Sequence, residues 1–161
     1  MDDKHITQLN QYLTFLLGNE LFALDISKVR EIVDEKDITK IPRMPTYLRG
    51  VINLRGHPVP VIDLRSSFGM SETQMGVNTC VIITELELEG ESIHIGALAD
   101  EVQEVMEIGP ERIDPPPHMG TAIDANYIKG MAKLNDQFIM VLDIDRIFTP
   151  EQLKDIKSVK N

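Results

Sequence analysis

Tyr47-Leu48-Arg49-Gly50-Val51-Ile52-Asn53-Leu54 recurs eighty residues on as Tyr127-Ile128-Lys129-Gly130-Met131-Ala132-Lys133-Leu134, and the match runs without a gap to Gly69 and Thr149. Tyr47/Tyr127, Gly50/Gly130, Leu54/Leu134, Val61/Val141, Asp63/Asp143 and Phe68/Phe148 are identical across the two copies. Most other apolar positions stay apolar in both. An earlier, weaker echo sets Val29-Arg30-Glu31-Ile32-Val33 against Val102-Gln103-Glu104-Val105-Met106. Two copies of one supersecondary unit imply two similar small barrels packed together. The copies also discipline the search for sites. Asp63 and Asp143 end equivalent strands, where a turn or cap role outweighs catalysis. Gly50 and Gly130 mark bulges or positive-φ positions.

Outward from the repeat, the chain is a series of short β-type runs broken by turn residues. Tyr12–Leu17, Gly18-Asn19 and Leu21–Leu24 make a hairpin. Asp25–Lys28 is a short helical turn, because Asp and Ser side chains satisfy free backbone donors. Val29–Val33 fits helix or strand, and its β-branched residues favour strand. Pro58 and Pro60 put their missing N–H groups on one side of Val59–Leu64, which points to an edge or a bulge. Thr79–Leu88 and Ser92–Ala99 form a hairpin around Glu89-Gly90-Glu91, continued by Glu101–Ile108. Pro115-Pro116-Pro117 is a stiff extended break, and Asn135-Asp136 turns the last hairpin. Thr149, Pro150 and Gln152 open a helix to about Ile156 through a capping box.

The reading is therefore all-β: two packed five-stranded barrels with a short C-terminal helix. A flexible tail covers 1–10, subdomains span about 11–75 and 76–150 with possible strand exchange, and helix and tail fill 151–161.

The 161 residues are 42% apolar, enough for a core. No run approaches the roughly 20 apolar residues of a membrane span, and Met1-Asp2-Asp3-Lys4 does not resemble a signal peptide. The expected setting is the cytoplasm, without direct membrane insertion. A net charge of −10 argues against nucleic acid as a partner. Cys80, the single cysteine, sits in an apolar run and reads as a buried, inert thiol or, alternatively, a reactive one. His5, His57, His94 and His118 share no metal-ligand spacing. Asp143-Ile144-Asp145 would set two carboxylates on one face of a strand and could hold a cation; a strand end opening into the helix explains them more simply. No nucleophile elbow, phosphate loop or dinucleotide fingerprint is present, so neither enzyme chemistry nor a cofactor is expected.

The run Tyr47–Gly56 followed by Pro60-Val61-Ile62-Asp63-Leu64-Arg65 resembles the signature of the chemotaxis coupling (CheW-like) family. Phe22-Ala23-Leu24-Asp25-Ile26, Val29-Arg30-Glu31-Ile32, Ile41-Pro42, Asp100-Glu101-Val102, Ile113–Pro117 and Leu142–Asp145 follow in the family's order, over about residues 10 to 150. The resemblance implies two SH3-like barrels and a non-enzymatic adaptor. Its implied partners are the cytoplasmic tip of chemoreceptors and the regulatory domain of the chemotaxis histidine kinase, in membrane-associated arrays. Receptors are implied to dock between the barrels. The position tied to coupling matches Arg55, and receptor contacts match Val29, Glu31, Cys80 and Val105. Pro58, and a cysteine at 80 where the family carries an aliphatic residue, depart from the pattern. Two rivals are a coupling domain cut from a kinase or receiver fusion, disfavoured by the initiating Met and helical ending, and a metabolite or enzyme site in the groove between the barrels.

Overall fold

The computed structural model describes residues 10–34, 37–115 and 127–160. The strands are β1 (Gln11–Leu17), β2 (Glu20–Asp25), β3 (Val29–Val33), β4 (Leu48–Leu54), β5 (His57–Asp63), β6 (Cys80–Leu88), β7 (Glu91–Ala99), β8 (Glu101–Glu107), β9 (Ile113–Asp114), β10 (Ile128–Leu134) and β11 (Gln137–Leu142). A four-residue helix, Leu64–Ser67, follows β5, and Pro150–Lys160 closes the chain. His5, Pro116, Pro117 and His118 lie outside the described residues.

One sheet runs β3-β6-β7-β5-β4 and the other β8-β1-β2-β11-β10-β9. The five strands of the first correspond in order to the first five of the second, and β9 has only the bridge at Thr39 as its counterpart. In each, an edge strand pairs antiparallel with a hairpin, whose second strand pairs parallel with the second strand of the repeated hairpin. Register shifts recur at equivalent places, between Leu48 and Gly50 and between Ile128 and Gly130. The sheets do not divide the chain near residue 75. The N-terminal hairpin β1–β2 belongs with β8–β11, and β6–β7 belongs with β3–β5. Exchange of strands therefore extends to a whole hairpin. β8 leaves the β6–β7 hairpin at Asp100 and pairs with β1 instead of continuing it. Asp100 fastens this crossover: its carboxylate accepts from Gly18 N (2.5 Å) and from Arg65 (2.8 Å).

Three apolar clusters result. Each sheet curls over a modest interior, around Ile52, Val61 and Val81 in one and Tyr12, Ala23 and Ile139 in the other. The largest lies between the barrels and draws on both sheets, from Phe15 and Phe22 to Ile82, Ile95 and Leu142. Strands such as β1 and β6 are covered on both faces, which is why they read as continuous apolar runs. The aromatic contacts across this core are reciprocal. Tyr47 of the first copy meets Phe148 of the second at 6.5 Å, and Tyr127 of the second meets Phe68 of the first at 5.6 Å. Residue i touches j and the copy of j touches the copy of i, as in a two-fold interface built within one chain.

Pro58 and Pro60 stand opposite Asn53 and Val51 of β4 on an interior strand by sheet order, yet β5 pairs with β7 only from Val61 onward, so the β7 side carries no ladder at either proline. Asp25 caps the 3₁₀ turn Ile26–Lys28 by accepting from Ser27 N. Thr149 and Gln152 exchange the two bonds of a capping box, at 2.9 and 3.1 Å. The C-terminal helix runs to Lys160, past the expected end at Ile156. It follows barrel two but lies against barrel one, where Tyr47 Oη reaches Asp155 at 3.3 Å.

Gly50 has φ +151°, and a Cβ there would stand 2.3 Å from Thr39 O. At Gly130 a Cβ would meet Ile113 Cγ2 at 2.4 Å and Asp114 O at 2.6 Å. Thr39 bridges to Val51 as Asp114 pairs with Met131, so both glycines admit the same close strand crossing. Gly50→Ala and Gly130→Ala should each lose more than about 2 kcal/mol in urea unfolding; an unchanged midpoint would remove this reading.

Burial, then the neighbouring Asp155 carboxylate, pushes the Tyr47 phenol up to about 12. The unfolded chain ionises this phenol near its ordinary value while the folded one resists, so the associated stability is present below about 10 and is lost as pH climbs toward about 12. Ultraviolet titration should show one of the three tyrosines ionising late, and Asp155→Asn should bring it down.

Candidate functional site

Arg55 occupies the β4–β5 turn in the left-handed region, φ 51°, followed by Gly56 at φ 85°. Asn53 Oδ1 accepts from Gly56 N at 2.8 Å and holds the turn. The equivalent turn in barrel two is Asn135-Asp136, at φ 50° and 64°. Asn and Asp tolerate this conformation far better than arginine does. Barrel one thus keeps an unfavourable residue at a position its own duplicate fills without strain, and such outliers point to function.

The Arg55 side chain explains its presence. It forms a forked pair with Glu31 of β3, at 3.1 and 2.5 Å. The hydrogen-bonded guanidinium holds the Glu31 carboxyl below the usual range, and the same bond raises Arg55. β3 and β4 are opposite margins of an open five-stranded sheet. An ion pair from β3 to the turn after β4 therefore spans the seam between these margins, alongside the Thr39–Val51 bridge. Its counterparts by repeat are Glu104 and Asn135, which cannot make an ion pair; the Glu104 backbone is engaged on both sides by the Thr14 hydroxyl instead.

Of the five expected interface residues, only Arg55 and Glu31 touch. A register shift falls between Val29 and Glu31, so the strict alternation that would put both on one face does not carry across it. Val29 and Cys80 are half-buried and pack against the inter-barrel core, Val29 opposite Thr84 and Cys80 opposite Ala99. Val105 belongs to the other sheet, on edge strand β8, and is 50% exposed.

Besides Met75 and Val77 in the loop before β6, two exposed apolar residues on strands were missed by the sequence reading. Ile32 is 45% exposed on β3, and it stands opposite Val105 in the echo of the repeat, which was the available signal. Phe138, 56% exposed beside the last turn with Lys133 over its ring, replaces Pro58 of the first copy, and nothing in the pattern marked it.

The acidic residues weighed for chemistry are structural. Asp63 is fully buried; its oxygens accept from Arg49 (3.0 Å), from Thr73 N and Oγ1 (2.9 and 2.8 Å) and from the first backbone N–H groups of the helix Leu64–Ser67. Asp143 caps a 3₁₀ turn, not a strand, by accepting from Asp145 N, and Asp145 pairs with Lys28 at 2.9 Å. Among the described residues no three His, Cys, Asp or Glu side chains are grouped as a metal ion would require. A cavity of about 510 Å³ is polar-walled, and its Arg65 and Asp100 are bonded to each other. No helix of the described residues is long and apolar enough to cross a membrane.

Residues 11–152 match the model of the CheW-like domain. The chain is 32% identical to chemotaxis protein CheW of Klebsiella aerogenes over 149 residues, covering 92% of this chain and 87% of that one. It is also 32% identical to CheW of Treponema pallidum over 149 residues, covering 92% and 88%. The crystal structure of the scaffolding protein TtCheW from Thermoanaerobacter tengcongensis superposes with a TM-score of 0.77 at 37% identity, covering 87% of this chain and 88% of that one. This chain belongs to the CheW-like family. That is a family of non-enzymatic chemotaxis adaptors, and the two packed, incompletely closed barrels are its SH3-like fold.

Arg55→Asn, which copies the residue of barrel two, should leave the thermal midpoint equal or higher, because relief of turn strain offsets an exposed ion pair. A fall in the midpoint would make the pair a stabilising element instead.

Proposed function

We propose that this protein couples chemoreceptors to the chemotaxis histidine kinase on the cytoplasmic side of the membrane, within receptor arrays. The observation that carries the reading is a pair of equivalent but unlike edges. β3 bears Ile32 with the Arg55–Glu31 pair, and β8 bears Val105 with Glu104 and no such pair. A duplicated fold that keeps an exposed aliphatic residue at the same point of both edges, and varies the charges beside it, offers two docking surfaces of different specificity. The kinase regulatory domain, which the resemblance makes a similar pair of barrels, fits such edges. Val29 and Cys80, anchored on the inter-barrel core yet partly exposed, suit the margin of a groove that takes a receptor tip. The Arg55–Glu31 pair orients the contact, and the partners shift one another's populations through it.

The test is a pull-down with the kinase regulatory domain and with a receptor cytoplasmic fragment. Wild-type protein should retain both at micromolar concentration, and Val105→Asp should weaken retention of one of them at least about tenfold. Arg55→Asn should keep the fold and lose receptor-dependent control of the kinase. No retention by wild type at high micromolar concentration would refute the adaptor reading.

A further inference from the structure

The C-terminal helix Pro150–Lys160 packs on the inter-barrel core through a short apolar face. Among its described side chains, Ile156 alone is fully buried, at 1% exposure, with Leu153 half-buried three residues before it. Its polar attachments are long: Tyr47 Oη lies 3.3 Å from the Asp155 carboxylate and 3.5 Å from Gln152 O. Lys157 approaches Glu89 and Glu91 of the β6–β7 turn at 3.9 Å each. An eleven-residue helix is marginal in water without its packing face, so undocking and melting are coupled.

The surface beneath the helix has the attributes of a helix site. Its floor carries the Tyr47 ring against Phe148, and its rim carries the carboxylates Glu89 and Glu91. The cover is incomplete, since a cavity of about 390 Å³ remains between Glu89 and Leu153, Lys154 and Lys157. Lysines outnumber acids in the helix, whereas the chain as a whole carries −10.

We propose that this slot is a docking surface for a basic amphipathic helix of a partner protein, and that the chain's own C-terminal helix occupies it in competition. The incoming helix presents two aliphatic residues at i and i+3, as Leu153 and Ile156 do, and lysines toward Glu89 and Glu91. Helix for helix, the exchange uncovers no core for longer than the opening itself. The rim makes the site sensitive to salt, because its ion pairs are exposed.

Hydrogen exchange on the unmodified full chain tests the opening. Amides of the C-terminal helix should exchange on the order of 100-fold faster than those of β5 and β7. Exchange in step with those strands would overturn the proposal. The second measurement uses a labelled peptide of residues 149–161 as the probe. It should bind full-length Ile156→Asp at least about tenfold more tightly than wild type, and added salt should weaken it. A peptide with its lysines replaced by glutamates should bind the variant at least about tenfold more weakly. Equal binding to wild type and variant, no binding to the variant, or a variant that no longer folds would each overturn the proposal, the last by making the helix integral to the core. Neither receptor nor kinase enters these measurements, so the result is independent of the adaptor reading.

Discussion

The molecule depends on the apolar layer between its two barrels. Each barrel alone encloses only a small cluster, too little to hold five or six short strands against their conformational entropy. The layer between them takes the large side chains, including Phe15, Phe22, Phe68 and Phe148, and the reciprocal contacts Tyr47–Phe148 and Phe68–Tyr127 tie each copy of the repeat to the other. Aromatic pairs of this kind contribute about 0.5–1.5 kcal/mol beyond the area they bury. The N-terminal hairpin and the C-terminal helix both cross to the barrel opposite their chain neighbours, so neither barrel is covalently self-sufficient.

That layer explains what the duplication left free to diverge. Positions facing it, such as Tyr47/Tyr127, Phe68/Phe148 and the capping pair Asp63/Asp143, are held alike in both copies by packing or backbone geometry. Edge strands and turns face outward and escape the constraint. There Arg55 stands where the duplicate has Asn135, Pro58 where it has Phe138, and Glu31 gains a partner that Glu104 lacks. Adaptor function, in which unlike partners are held by one rigid body, needs this combination: a shared scaffold with unlike rims.

The relation between copies separates structural acids from site residues without any catalytic hypothesis. Asp63 is buried and Asp143 only partly so, but both serve as caps, and Asp63 is saturated with donors. Arg55 is strained and exposed and pairs with Glu31, which makes it the more informative charge.

By itself the sequence determined the repeat, the β-type of its runs, the hairpin turns and the capping box at Thr149, because these depend on spacing and local backbone chemistry. It also placed Arg55 in a turn, where a small set of φ values is available. Only the tertiary structure decided which hairpin belongs to which barrel, since β1–β2 and β6–β7 are equally apolar and carry no local mark of their partner. It alone brought Glu31 to Arg55 across the seam and exposed Ile32 and Phe138. Pairings between residues far apart in the chain are chosen by which apolar faces can be covered together, and that choice is made by the packed molecule as a whole.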